Sequence, residues 1–255
     1  MNIAALHNLI REAQEHEART GRLAHYIHAN LDQVHQAIAL PEQNPDEALL
    51  NFISNYVNQV PHLLQAAHEV AEGAGISPWI KPVLKITEQF FLQPPKLIDG
   101  REGLEMLVSA AYLALRMVEE VNDRYIFHLG KPLIPLDLTV ANLVVHHLIG
   151  EPFSNQLDSA VEHAVSALLP ENTFNQDSVQ TYRQHLHAPN VLTAWLSWPC
   201  FSRQWGIELA LAENTSEPRP QAEPISPADN APEASPSVTV HPRSRETRPS
   251  RRHKP

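Results

Sequence analysis

The chain has a single cysteine, Cys200, among its 255 residues. No intrachain disulfide can form, and a metal site built on thiolates is not expected. Glycine is scarce as well, at eight residues. Phosphate-cradling loops have little to be made from, and neither a G-x-G-x-x-G stretch nor a Walker loop occurs. H-E-x-x-H and G-x-S-x-G are also missing. No apolar run reaches the roughly 18–20 residues that a bilayer crossing needs. The most apolar stretch is interrupted by Glu105 and Arg116. The opening MNIAALHNLIREAQEHE lacks the basic block and apolar block of a secretory leader, so a cytoplasmic setting is expected.

Apolar periodicity disappears at Glu213. From there the chain is rich in Pro, Ser, Ala and Glu and has no aromatic residue. Such a composition buries too little surface to offset the entropy of ordering. The expected organisation is therefore a folded domain over 1–212 and a disordered tail over 213–255. Seven of the 19 Lys and Arg and six of the 29 Asp and Glu lie in the tail. That leaves 12 against 23 before it, a formal charge of −11 on the first 212 residues. A body this acidic is a poor general binder of nucleic acid. The end of the tail has the opposite sign: Arg243, Arg245, Arg248, Arg251, Arg252 and Lys254 face only Glu246. It could touch an anionic partner as a loose electrostatic arm.

What is present is helical. Leu6, Ile10, Ala13, Glu17, Thr20, Ala24, Ile27, Leu31, Val34 and Ile38 fall at alternating steps of four and three, which predicts one long N-terminal helix over 3–39. Asn44, Pro45, Asp46 and Glu47 read as the start of a second helix, with Pro61 inside it. Ser77-Pro78 starts a third, and Pro94-Pro95 stops it. Gly103 to Gly150 reads as a central helical hairpin. Its first arm is apolar nearly all round up to Glu119, Gly130 and Pro132 turn the chain, and Asp137 sits where a cap for the returning arm belongs. Ser154 and then Asp177 or Ser178 look like caps for two further helices. Trp195, Trp198, Phe201 and Trp205 follow as an aromatic cluster. No strand pair and no solenoid repeat is expected. The fold class is all-α: a multi-helix bundle with a long N-terminal helix, a central helical hairpin and a disordered C-terminal tail.

Histidine is heavily used, at 15 residues. On a continuous first helix His25, His28, Asp32 and His35 would form one stripe, read first as a solvated flank, with a metal or proton-relay site as the alternative that the spacing allows. The group with most chemical content is on the hairpin: Glu119, Glu120 and Asp123 on the first arm, His146 and His147 on the returning one. One reading is a His–carboxylate pair that fixes the hairpin register. Another is a metal site formed by Glu17, Glu119, Asp123 and His147, a ferritin-like divalent-metal or di-iron centre in a helical core. No Glu-x-x-His occurs among the candidates Glu17, Glu88, Glu119, Glu120, His147, Glu151, Glu162 and His163, which counts against it. The first expectation is a protein-interaction or regulatory module without a cofactor, binding another protein or itself; the alternative is a metal-binding protein or metal-dependent enzyme.

Overall fold

The computed structural model describes residues 1–34, 38–98, 100–134, 136–186 and 207–209. These lie within the compact unit Met1–Ala212. The expected disordered tail, the four-residue aromatic cluster and His35 fall outside the described residues.

The architecture is an all-α bundle. In chain order the helices are α1 (Ile3–Thr20), α2 (Arg22–Ala29), α3 (Pro45–Gly73), α4 (Ser77–Leu92), α5 (Gly103–Leu129), α6 (Thr139–Ile149), α7 (Phe153–Leu168) and α8 (Asp177–His185). The hairpin is α5 and α6, and α5 is the hub, packing against α1, α3, α4, α6 and α7. Every residue from Leu107 to Leu115 is buried. Ser109, Ala110, Ala111 and Ala114 are small enough for neighbouring helices to approach on several sides, so a helix apolar all round becomes the core. Asn122, on the buried face of α5, fixes the connector. Its Nδ2 donates to the carbonyl of Ile134 at 2.9 Å, and its Oδ1 accepts from the Ile134 N–H at 3.0 Å. A buried loop backbone is satisfied in this way by one side chain.

The structure corrects the long N-terminal helix. Residues 3–39 do not form one helix: α1 ends at Gly21, which has φ 59 in the left-handed region, and α2 sets off from there. A 3-10 turn over Leu31–Gln33 follows α2. Glu17 explains the break. It stands on the apolar seam and is only 9% exposed. Its two carboxylate oxygens accept from the backbone N–H groups of Leu23 at 3.1 Å and Ala24 at 3.0 Å. An isolated buried carboxylate would cost several kcal/mol, and here it caps the first turn of α2, where the helix dipole also favours a negative charge. The apolar periodicity continues across the break because α2 buries Leu23 and Ile27, while Thr20 is exposed and Ala24 only partly buried, so both leave the seam. With the helix broken, the stripe of His25, His28 and Asp32 does not lie on one helix. His28 Nδ1 instead meets Asp46 Oδ2, at the start of α3, at 3.1 Å.

Smaller expectations are also corrected. The cap position of α6 is Leu138, one residue after Asp137, and α8 begins at Asp177 with Gln176 at its cap position, so neither Asp177 nor Ser178 caps it. Ser154 is not the cap of α7; the helix begins one residue earlier, and Ser154 is buried in its first turn. A strand pair does exist: β1 (Ile38–Ala39) pairs antiparallel with β2 (Glu208–Leu209). Two residues a side are too few for alternation to register in a sequence.

Candidate functional site

Arg116 lies within the buried run of α5, between Leu115 and Met117. A guanidinium there must find partners, and it finds two carboxylates. It donates from Nη1 to Glu119 Oε2, one turn on, and from Nε to Asp158 Oδ1 of α7 at 3.1 Å. Asp158 Oδ1 also accepts from the Tyr112 hydroxyl at 2.7 Å. The other oxygen, Oδ2, is 3.4 Å from His146 Nε2 of α6, and that nitrogen is 3.2 Å from Asn155 Oδ1. Glu119 Oε2 accepts in addition from Asn142 Nδ2 of α6 at 2.6 Å, and Asn142 Oδ1 accepts from the Tyr56 hydroxyl of α3 at 2.6 Å.

This network ties α3, α5, α6 and α7 together, and the chain's own donors meet both of its carboxylates. Burial works against the charge on Arg116, but Glu119 and Asp158 outweigh it and push the guanidinium above its ordinary value. The Tyr56 hydroxyl is driven well up by burial and then by Tyr112 and Glu119. Tyr112 is raised by burial and then by its hydrogen bond to Asp158.

Of the four residues considered as metal ligands, Glu17 caps α2 and Glu119 belongs to the network just described. Asp123 is one turn beyond Glu119 on α5. It is exposed, and its carboxyl sits above its ordinary value through partial withdrawal from water and then repulsion by Glu119 and Glu120. Glu120 is held by Arg124 Nε at 3.2 Å. His147 lies on α6 and lines a cavity against α2. Among the described residues, no three His, Cys, Asp or Glu gather so as to hold a metal ion. On the returning arm, Asn142 meets Glu119, while His146 turns to α7.

The cavity at His147 is one of two that adjoin. The first, of about 170 Å³, is lined by Tyr26, Ile27, Asn30, Val34, Leu49, His147, Leu148 and Gly150. The second, of about 140 Å³, shares Tyr26, Ile27 and Leu148 and adds Arg101, Glu105 and Ile149, among others. Together they form a groove floored by α3 and α5, with α2 on one side and the end of α6 on the other. Its walls are mostly aliphatic, with a few polar groups at the rim, as binding clefts are. Tyr26 stands at the junction of the cavities, 49% exposed, and Leu143, 47% exposed, lies one helical turn before His147. A third cavity, between α3 and α4, is lined largely by the charged groups Lys81, Lys85 and Glu88.

Sequence reasoning singled out His147 but not the groove around it, and Glu119 but not its partners. Arg116 carried a legible signal, since a charge inside an apolar helical run calls for a buried counter-charge. Asp158 carried none. Comparison with protein-family models, curated proteins and solved structures finds no match for this chain.

Proposed function

We propose that this chain is a protein-interaction module that docks a segment of another protein in the groove between α2 and α6. The observation that carries the reading is the exposed pair Tyr26 and Leu143 beside two adjoining apolar cavities. Single exposed apolar side chains are ordinary, but an aromatic flanking a concave apolar surface is the pattern of an interface hot spot. The polar network on α5–α7 supports the reading as scaffold: its charged groups are taken up by one another, and it holds α6 in place as a wall of the groove. No helix among the described residues is long and apolar enough to cross a membrane. In this reading the module works in the cytoplasm, and the basic stretch Arg243–Lys254 adds a weak, salt-sensitive contact to an anionic partner.

The test is site-specific photocrosslinking in cells. A benzophenone side chain replaces Tyr26 or, as a control, Gln89, an exposed residue of α4. The expected result is an adduct of one fixed mass from position 26, absent from position 89 and lost when Leu143→Asp is added. An adduct at twice the chain's own mass, reproduced with the purified protein, identifies a second copy as the partner. Equal adducts from both positions, or adducts indifferent to Leu143→Asp, would refute the groove as the docking surface.

A further inference from the structure

We infer that the α2–α6 groove selects a carboxylate together with an apolar side chain, so that its partner segment carries Asp or Glu next to an apolar residue and pairs it with Arg101. This rests on the docking reading above and adds the chemistry of the partner.

Arg101 lines the same cavity as Tyr26, Leu148 and Ile149. Three contacts hold it in place. Nη1 donates to Ser109 Oγ of α5 at 2.7 Å, Nη2 donates to the Ile149 carbonyl at the end of α6 at 3.3 Å, and the guanidinium carbon is 4.4 Å from the centre of the Phe153 ring at the start of α7. None of these contacts neutralises its charge. Among the described residues, no carboxylate lies within ion-pair distance of it. Glu105, the carboxylate that shares the cavity, is 3.9 Å from Arg22, and Arg22 also takes Glu102 at 3.0 Å. Asp99, two residues before Arg101, is outside the described residues.

A guanidinium has five N–H donors in a fixed fork, and only two are used here. A partly buried cation against an aliphatic wall, without a counter-charge, favours a ligand that supplies one. Because its own contacts have already fixed the fork, little side-chain entropy remains to be lost on pairing with a carboxylate. The first 212 residues carry a formal −11, so the long-range field opposes an acidic segment. The preference for a carboxylate is therefore local to Arg101 and is strongest when the apolar side chain is seated.

The experiment uses the full chain, labelled with nitrogen-15. It is titrated with three blocked peptides, Ala-Leu-Glu-Leu-Ala, Ala-Leu-Gln-Leu-Ala and Ala-Leu-Lys-Leu-Ala, in which the Glu side chain is the only carboxylate. The Glu peptide is expected to shift the amides of Tyr26, Leu148 and Ile149 saturably and to bind about tenfold more tightly than the Gln peptide, the scale of one charge-assisted pair. Arg101→Gln should bring the Glu peptide down to the level of the Gln peptide, and Arg101→Lys should keep part of the difference. If Arg101→Gln unfolds the chain, the comparison of the three peptides on the unmodified protein still decides. Equal binding by all three would overturn the role of Arg101 and leave the groove as a purely apolar docking surface. Tighter binding of the Lys peptide would show that the acidic body governs, and would also overturn it. No shift of groove amides with any peptide would count against the docking reading itself.

Discussion

At the residue scale, what distinguishes this chain is how it houses carboxylates in and around an apolar bundle. Glu17 is buried and spends both oxygens on the first turn of α2. Replacing it with Ala leaves two helix-start N–H groups without their acceptor, and the expected cost is about 2–4 kcal/mol in urea denaturation. A loss below about 0.5 kcal/mol would mean that water caps α2 as well as Glu17 does. Asp123 behaves in the opposite way. Its folded-state pKa lies above the ordinary value of 3.8, so its charged form weakens the fold. That penalty is fully present above the folded pKa, fades as the pH falls through it, and is gone below about 3.8. Asp123→Asn should therefore raise the melting temperature near neutral pH, and the gain should shrink to nothing in acid. A gain that persists at low pH would assign the effect to packing rather than charge.

At the element scale, two glycines set where helices start. Gly21 turns the chain between α1 and α2 at φ 59, and nothing lies within 4 Å of where a Cβ would stand. Gly103 opens α5 at φ 57, and a Cβ there would meet His16 Cδ2 of α1 at 2.7 Å. Gly21→Ala should cost about 1–2 kcal/mol, the ordinary penalty of the left-handed conformation. Gly103→Ala adds a clash with a ring and should cost more. In a His16→Ser background the excess should disappear, leaving the Gly21 value. Equal costs in the original background would show that His16 moves aside freely.

At the scale of the whole molecule, the division between body and tail yields its own prediction. A chain ending at Ala212 is expected to melt within about 2 °C of the full chain, because Pro- and Ser-rich segments without apolar periodicity add little to a core; a large drop would show that residues beyond 212 pack on the body. Most of the bundle was legible beforehand. The start of α3, the start and end of α4, the hairpin over 103–150 and the burial of α5 all follow from periodicity, proline and glycine. The seam predicts one helix over 3–39 because a heptad pattern cannot show that the Glu17 carboxylate reaches forward to cap a new helix after Gly21. The network and the groove were not legible for a related reason. Tyr112 and Asp158 are 46 residues apart, and Tyr56 and Asn142 are 86 apart. The sequence by itself determined that the fold is all-α, where α3, α4 and the α5–α6 hairpin lie, and that the first 212 residues are acidic, because these depend on neighbours three or four residues away and on composition. Only the tertiary structure decided which buried carboxylate meets which donor and where α2 and α6 leave a groove, because those depend on how the helices pack across distances that no local pattern records.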